Sequence, residues 1–228
     1  MNICSIIPAR GGSKGIPRKN IKLLNGKPVI AYSIEASKSA SLIKNTYVTT
    51  EDDEISKISQ EYGAKNIKRP QSLAEDNSAS VDVCLHVLDY LEENGDLPDC
   101  FVLLQPTSPL RTENDITNAM NVFLENKCDA VISVCQIDHT SMMNFEIKNN
   151  LLSPNFDETF LHMRRQDMPK NYSPNGAIYI TTPESLRKTK TFVPKKTMPY
   201  IMPKGRSVDL DDEFDFKLAE FILKENTF

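Results

Sequence analysis

The chain has 228 residues, of which 39% are hydrophobic and 25% are charged, and its formal net charge at pH 7 is −4. This length supports one sizeable hydrophobic core, and both fractions are ordinary for a globular protein. The negative balance excludes a general nucleic-acid binder, which needs a broad positive field. No apolar stretch approaches the roughly 18 residues that span a bilayer or resembles a secretory signal, so the sequence predicts a cytoplasmic protein.

The cysteines are scattered along the chain, and most lie beside apolar residues. They are Cys4, Cys84, Cys100, Cys128 and Cys135. An odd number without regular spacing predicts reduced, half-buried thiols rather than a disulfide or zinc framework. Because none has a histidine or a cationic cluster as its immediate neighbour, a catalytic cysteine is not expected.

Strand and helix patterns alternate through the first two thirds of the chain. The predicted strands are Ile3–Ile7, Asn45–Thr50, Phe101–Leu104, Ala130–Cys135 and Gly176–Thr181. The predicted helices are Pro28–Ser39, Glu51–Tyr62 with Gly63 as its C-cap, Ser78–Glu92, Asp115–Glu125 and Asp211–Lys224. This alternation predicts an α/β fold with a single doubly wound, mainly parallel sheet. Residues 139–174 lack the pattern, and we expect them to form an excursion from the sheet within one domain spanning residues 1–228.

The first predicted strand leads into a basic, glycine-rich loop. Residues 4–20 read CSIIPARGGSKGIPRKN and hold three of the eight glycines of the chain. The loop residues of interest are Arg10, Gly11, Gly12, Lys14, Gly15, Arg18 and Lys19. Glycines bring backbone N–H groups close to a ligand, and cations compensate a polyanion. The loop therefore indicates a nucleotide-phosphate site, with a solvated basic turn as the alternative. Its order matches neither G-x-x-x-x-G-K-[ST] nor G-x-G-x-x-G.

Two further segments follow predicted strands. LQPTSPLR (104–111) leaves Gln105 at a strand end, where its amide can donate to and accept from a polyhydroxylated substrate. PNGAIYI (174–180) contains Asn-Gly, which predicts a tight turn that feeds a strand. The alternatives are a stiff β–α turn for the first segment and a plain strand entry for the second.

Two polar segments adjoin predicted helices. Arg69-Pro70 and residues 76–80 (DNSAS) open one helix, where a helix N-cap is the simpler interpretation. SVDLDD (207–212) opens the last helix, and its Asp209 and Asp211 alternate so that both carboxylates point to one face. Two hard oxygen donors can hold Mg²⁺, whereas the alternative is an acidic helix N-terminus.

Together, IPARGGSKG, LLQPTSPLR, NGAIYI and SVDLD resemble the signature of the acylneuraminate cytidylyltransferases, the CMP-sialic acid synthetases. The resemblance runs from Ile6 to about Asp215 and implies a nucleotide-diphospho-sugar transferase-like fold. It implies that CTP and a nonulosonic acid react by in-line attack of the anomeric C2 hydroxyl on the α-phosphate. The implied cofactor is Mg²⁺, with Mn²⁺ as a substitute, and the implied assembly is a homodimer whose arm is the 139–174 excursion.

The resemblance also assigns the site residues. The implied nucleotide contacts are Ala9, Arg10, Gly11, Gly12, Ser13, Lys14, Lys19, Asn20, Arg69 and Ser80. The implied sugar contacts are Gln105, Asn175, Tyr179 and Phe192, with Arg165 supplied by the neighbouring subunit for the sugar carboxylate. The implied metal ligands are Asp209 and Asp211, and the predicted catalytic residues are Arg10, Lys19 and Asp211.

The sequence departs from the family pattern at two places. No lysine follows shortly after Asp138-His139, where sialate-specific members often carry one, and Ser173 stands where some members have arginine. The sugar acid is therefore left open between N-acylneuraminate and legionaminate, with pseudaminate and Kdo behind them. A non-catalytic nucleotide-binding regulator and an Asp-x-Asp glycosyltransferase are the other classes, although the latter carries Asp-x-Asp in mid-chain.

Overall fold

A computed structural model describes residues 1–137, 144–164 and 167–225. Its strands are β1 (Ile3–Pro8), β2 (Leu23–Leu24), β3 (Lys27–Pro28), β4 (Asn45–Thr50), β5 (Lys65–Lys68), β6 (Cys100–Leu103), β7 (Ala130–Gln136), β8 (Phe145–Lys148), β9 (Leu151–Pro154), β10 (Tyr172–Thr181) and β11 (Thr197–Met202). Its α-helices are α1 (Val29–Ser39), α2 (Asp53–Glu61), α3 (Ser80–Glu93), α4 (Glu113–Glu125), α5 (Pro183–Thr189) and α6 (Glu213–Glu225). Within these ranges, no helix is long and apolar enough to cross a membrane.

Seven strands form one sheet in the order β11-β7-β10-β6-β1-β4-β5. Neighbours pair in parallel except β10, which is antiparallel to both β6 and β7. The predicted doubly wound, mainly parallel sheet is confirmed. The chain first extends the sheet on one side of β1, with β4 and β5. It then continues on the other side of β1, starting with β6. In such sheets, the crevice outside the carboxyl ends of the strands at this reversal is where ligands bind.

The two faces of β1 anchor the two halves of the core. Ile7 packs with Ile30 and Ile34 of α1, whereas Ile6 packs with Val87 and Leu88 of α3. All six side chains are fully buried. Burying one such side chain contributes about 1.5–3 kcal/mol, so helices held on both faces fix the centre of the sheet. The site at the end of β1 therefore rests on the most buried part of the molecule.

Side-chain capping sets the starts of two helices. The helix predicted from Glu51 begins at Asp53, because the Asp52 carboxylate accepts the N–H groups of Glu54 and Ile55 at 3.0 Å each. Helix α4 begins two residues earlier than predicted, because Thr112 and Asp115 form a capping box. Such boundaries depend on which hydroxyl or carboxylate reaches the free N–H groups.

Two predictions around the start of β10 are wrong. The strand begins at Tyr172, which pairs with Gln136, so the last residues of the predicted 139–174 excursion belong to the sheet. Asn175-Gly176 is not a turn before the strand but lies inside it. Gly176 has φ +75°, and the register with β7 shifts between Pro174 and Tyr179. A glycine inside a strand with positive φ is typical of a bulge.

The described part of the excursion contains an antiparallel hairpin of β8 and β9. Ile147 pairs with Leu152 and Phe145 pairs with Pro154, so these side chains share one face. Ile147 is 76% exposed and Leu152 is 68% exposed. An isolated two-stranded hairpin is marginally stable in water, and this one presents its apolar face to solvent.

Candidate active site

A cleft of about 460 Å³ lies at the carboxyl edge of the sheet. It gathers ten of the predicted site residues: Arg10, Ser13, Lys14, Lys19, Asn20, Arg69, Ser80, Gln105, Asp209 and Asp211. It also gathers Gly15 of the predicted loop and residues that were given no role: Pro8, Leu73, Glu75, Asp76, Ser78, Val83, Pro106 and Thr107. The structure therefore brings the predicted phosphate loop, the Gln105 turn and the acidic pair to one place.

Two loop cations share one acidic partner across the cleft. Asp76 lies 2.9 Å from the Arg10 guanidinium and 2.7 Å from the Lys14 ammonium. The hydrogen bond from Lys14 is the main cause that lowers the pKa of the Asp76 carboxyl. These groups are partly or largely exposed, and ion pairs of this kind contribute little to stability. The two cations that we predicted for phosphate binding are thus held by a carboxylate that a stronger anion can replace.

The base of the first loop is tied to the start of α2. Arg18 forms ion pairs with Asp52 and Glu54. The Arg18 hydrogen bond is the main cause that lowers the pKa of Asp52. A Cβ atom on Gly11 would lie 2.5 Å from an Asp52 carboxylate oxygen, so a side chain at this position would displace the Asp52–Arg18 pair.

The middle of the same loop packs against the acidic segment near the end of the described chain. The Lys19 ammonium donates to the Leu210 carbonyl. A Cβ atom on Gly15 would lie 2.1 Å from the Asp211 carbonyl oxygen, and the Leu210 N–H donates to Thr107 at 2.9 Å. These contacts hold the loop, the Gln105 turn and the Asp209–Asp211 segment together.

Asp209 fits the requirements of a hard-cation ligand. Its Oδ1 atom is buried and finds no hydrogen-bond partner among the described residues. Burial raises the pKa of the Asp209 carboxyl; a hydrogen bond from the Thr107 side chain opposes this, and the negative charge of Asp211 adds to it. A buried, unpartnered carboxylate oxygen is costly unless a cation reaches it. Within the described ranges, no group of three or more His, Cys, Asp or Glu side chains surrounds it, so Mg²⁺ held here would complete its shell with water and phosphate.

Gln105 and Asp209 meet at the bulge of β10. A Cβ atom on Gly176 would lie 2.8 Å from Gln105 Oε1 and 3.3 Å from Asp209 Oδ2. Its positive φ and this lack of space both require glycine. Gly176 therefore allows the predicted sugar contact and the predicted metal ligand to lie side by side.

Three predicted sugar contacts do not line the cleft. Asn175 is 7% exposed, accepts from Ser133 Oγ at 2.6 Å and donates to Ser207 Oγ at 2.9 Å. The rings of Tyr179 and Phe192 lie 5.4 Å apart, and Phe192 is 9% exposed. Asn175 thus connects the sheet to the segment before Asp209, and the two aromatic residues pack in the core.

The remaining predicted contacts differ in how deeply they are buried. Ala9 is buried and its N–H donates to Thr49, whereas Gly12 has open space around its Cα. Arg69 is buried beside Glu51, and burial lowers the pKa of its guanidinium. Arg165 lies outside the described residues.

Sequence reasoning missed one buried residue that shapes the site. Arg111 is 3% exposed and donates to the carbonyls of Gln105 at 3.3 Å and Ala177 at 2.9 Å, and to Ser33 Oγ at 2.6 Å. Burial lowers the pKa of this guanidinium to about 10. It connects the Gln105 turn to the residue after Gly176. Its place at the end of LLQPTSPLR was the available signal.

Comparisons with curated proteins give relatives over nearly the whole chain. An N-acylneuraminate cytidylyltransferase of Escherichia coli O18:K1:H7 is 35% identical over 95% of this chain, which spans 51% of that protein. A pseudaminic acid cytidylyltransferase of Campylobacter jejuni is 31% identical over 99% of this chain and 97% of its own length. A CMP-N,N'-diacetyllegionaminic acid synthase of Legionella pneumophila is 30% identical over 99% of this chain and 98% of its own length.

Solved structures show the same fold at low sequence identity. A CMP:2-keto-3-deoxy-manno-octonic acid synthetase complexed with CTP superimposes with a TM-score of 0.75 and 14% identity, covering 99% of this chain and all of that one. A 4-diphosphocytidyl-2C-methyl-D-erythritol synthase from Anaerococcus prevotii gives a TM-score of 0.69 and 12% identity, covering 98% and 96% of the two chains. The family model described as Cytidylyltransferase matches residues 4–220. The chain belongs to this cytidylyltransferase family of nucleotidyltransferases.

Proposed function

We propose that this protein transfers the cytidylyl group of CTP to a nonulosonic acid, giving a CMP-sugar and diphosphate. The observation that carries this proposal is the single cleft that collects the cationic first loop, Gln105 and the acidic pair. Relatives of 30–35% identity carry names that describe this reaction on N-acylneuraminate, pseudaminate and diacetyllegionaminate. Membership of the family and the composition of the cleft support the same chemistry.

The first loop is suited to the triphosphate of CTP. Arg10 and Lys14 would exchange the Asp76 carboxylate for phosphate oxygens, and Lys19 would remain beside the acidic segment. Arg69 and Ser80 also line the cleft, and by resemblance they would contact the nucleoside. Charge-assisted hydrogen bonds to phosphate are stronger than neutral ones, which favours this exchange.

The reaction needs positioning and charge stabilisation rather than a covalent enzyme intermediate. The C2 hydroxyl oxygen of the sugar acid forms a bond to the α-phosphorus, and the bond from that phosphorus to the bridging oxygen of diphosphate breaks. The departing diphosphate takes its negative charge toward Arg10 and Lys14. We assign Asp211 to accept the hydroxyl proton, because it lines the cleft beside Lys19.

Asp209 and Asp211 are the residues that would hold Mg²⁺, with Mn²⁺ as a substitute. The buried, unpartnered Oδ1 of Asp209 supports this assignment. When bound, the ion would supply positive charge at the α-phosphate and lower the pKa of a nearby hydroxyl. The Asp209 carboxylate lies beside the bulge at Gly176, next to Gln105. At this place Gln105 would orient the sugar hydroxyls.

N-acylneuraminate is our first choice of sugar, and legionaminate is the main competitor. The identities to the relatives named for the three sugars differ by at most five percentage points (35% against 30%), so sequence similarity separates them little. The absence of a lysine after Asp138-His139 departs from the typical sialate pattern and leaves room for legionaminate. Residues 138–143 lie outside the described ranges.

We further propose a homodimer in which the excursion completes the partner's site. The support is the apolar hairpin face with exposed Phe145, Ile147 and Leu152. Contiguous exposed apolar surface marks an interaction site. By resemblance, Arg165 would reach the sugar carboxylate of the neighbouring subunit, where a guanidinium can pair with both oxygens. The variant Arg165→Ala is therefore expected to raise the sugar KM far more than the CTP KM.

The test is diphosphate release with CTP and Mg²⁺ against N-acetylneuraminic, N,N′-diacetyllegionaminic, pseudaminic and Kdo acids. We expect release with one of these acids and none without sugar. CTP binding without release from any of them would contradict the proposal and favour a nucleotide-binding regulator. Sedimentation of the same preparation tests the dimer, and a monomer at micromolar concentration would contradict that part.

A further inference from the structure

Glu51 links two parts of the cleft that lie far apart in the sequence. It follows the last residue of β4, and its side chain is 12% exposed. One carboxylate oxygen accepts the N–H of Gly11 at 2.6 Å, and the other accepts from the Arg69 guanidinium at 2.9 Å. A single carboxylate thus joins the phosphate loop to the arginine on the nucleoside side of the cleft.

The surroundings require a full-length carboxylate at this position. Arg69 is a buried cation whose side chain is 4% exposed, and Glu51 offsets its charge. A carboxylate has two acceptor oxygens, whereas glutamine offers one oxygen and an NH₂ group that cannot accept. Aspartate keeps the charge but is one methylene shorter, so we expect it to reach one of the two donors.

Glu51 is not among the residues that line the described cleft, whereas Arg69 is. The Nε atom of Arg69 finds no hydrogen-bond partner among the described residues. Glu51 therefore holds one terminal nitrogen of Arg69, while the buried Nε stays without a partner in the described part of the chain. Its influence on a bound nucleotide acts through Arg69 and through the backbone of Gly11.

We propose that Glu51 is a positioning residue for the nucleotide, fixing the distance between the phosphate loop and Arg69. This inference rests on the proposed function, since it assumes that CTP spans both parts of the cleft. The sugar and the metal would lie at Gln105 and Asp209, which meet at Gly176. Loss of Glu51 should therefore affect the nucleotide and leave the sugar unaffected.

The experiment compares Glu51→Gln with Asp53→Asn as a matched control. Asp53 lies two residues further on, pairs with Lys68, and its side chain is 94% exposed. For Glu51→Gln we expect a CTP KM about tenfold higher, with kcat and the sugar KM within about twofold of wild type. A tenfold change corresponds to about 1.4 kcal/mol, just below the roughly 1.5–3 kcal/mol of hydrogen bonds to charged groups. Asp53→Asn should leave all three constants unchanged.

Direct CTP binding by calorimetry, without sugar, separates this inference from the proposed function. If wild type binds CTP but turns over no sugar acid, the tenfold loss of CTP affinity in Glu51→Gln still tests the positioning role. Equal increases in both KM values, or unchanged CTP affinity, would overturn it. If Glu51→Gln does not fold, Glu51→Asp carries the test, with an expected loss of CTP affinity between wild type and tenfold.

A double-mutant cycle identifies the route of the effect. The CTP affinity of Glu51→Gln/Arg69→Lys should be weakened by clearly less than the product of the two single losses, since both changes disturb one interaction. Strictly multiplicative losses would show that Glu51 does not act through Arg69 and would overturn that part of the inference.

Discussion

The two walls of the cleft are held in different ways. One wall, which we call the inner wall, consists of Gln105, Gly176 and Asp209. The other, the outer wall, consists of Arg10, Lys14 and Asp76. Behind the inner wall, Arg111 and Asn175 are buried and donate to neighbouring carbonyl and hydroxyl oxygens. The outer wall depends on ion pairs between partly exposed side chains.

This difference teaches which wall a ligand can rearrange. Breaking a buried hydrogen bond leaves one buried polar group without a partner, which costs the full desolvation penalty of that group. The inner wall therefore keeps its geometry without a ligand. Exposed ion pairs are weak and salt-dependent, so phosphate can replace them. Changes in the inner wall should therefore reduce turnover or stability, whereas changes in the outer wall should shift affinity.

The largest effect is expected from Asp211→Ala. Loss of a group that contacts the reacting atoms typically costs about 100- to 1,000-fold in kcat. We expect a loss of at least that size with an unchanged melting temperature, measured by diphosphate release and thermal unfolding. Asp212→Ala, which removes the adjacent carboxylate, serves as the control. Activity within tenfold of wild type for Asp211→Ala would contradict its catalytic assignment.

Gly176→Ala tests whether the bulge holds the inner wall. A side chain at φ +75° and 2.8 Å from Gln105 Oε1 is strained, and such strain costs about 1–3 kcal/mol. We expect a lower free energy of unfolding and at least a tenfold loss of kcat. The control is Gly205→Ala, because nothing lies within 4 Å of a Cβ atom there. Equal effects from both variants would contradict a specific role for the bulge.

Asp115 supports the inner wall from behind and gives a pH-dependent test. It is 1% exposed and pairs with Arg206, immediately before the acidic segment. Burial opposes ionisation, but hydrogen bonds from Arg206 and Thr112 outweigh it and lower the pKa of Asp115. Its contribution to stability is therefore present above the ordinary carboxyl value of 3.8 and is lost as the pH falls through the lower folded value.

Asp115→Asn should accordingly destabilise the fold by roughly 1–3 kcal/mol at pH 7, the usual cost of a broken buried hydrogen bond to a charge. The difference in unfolding free energy from wild type should shrink as the pH falls below 3.8. Denaturant unfolding at pH 7, 5 and 3 measures it. A difference that stays constant or grows toward low pH would show that ionised Asp115 is not the stabilising form.

The smallest effect is expected in the outer wall. Asp76→Asn removes the carboxylate that competes with phosphate for Arg10 and Lys14, so CTP should bind about two- to fivefold more tightly, because exposed ion pairs are weak. Calorimetry at 50 and 300 mM salt should show the gain shrinking at high salt. Asp53→Asn, a change of equal charge at a 94% exposed side chain that does not line the cleft, is the control. Weaker CTP binding by Asp76→Asn would mean that Asp76 helps to hold the nucleotide.

The sequence predicted the fold and the cleft where the signal is local. The strand that ends at Pro8, its glycine-rich loop and the Asp209-x-Asp211 spacing all lie within short segments, and all reach the cleft. By contrast, the contact between Arg10 and Asp76 depends on how two distant loops meet. No local pattern marks such a contact.

The missed strands lack a clear pattern for physical reasons. β5 is an edge strand whose Lys65 and Lys68 face solvent, as is common where an edge must not pair with other chains. β11 forms the other edge and contains Pro199, which an edge tolerates but which argues against a strand in a sequence. Asn175 and Phe192 were assigned to the sugar by resemblance alone, and in the described structure both are engaged in the interior.

The hydrogen bond from Lys19 to Leu210 joins residues 191 positions apart. The chain is synthesised from its first residue, so the cationic loop emerges long before the segment that it must meet. A nascent chain interrupted before Asp209 would carry every cation of the loop and neither aspartate. Such a fragment could capture nucleotide but would lack the groups assigned to react with it. Competence for chemistry would thus arise late, after all seven strands of the sheet have been translated.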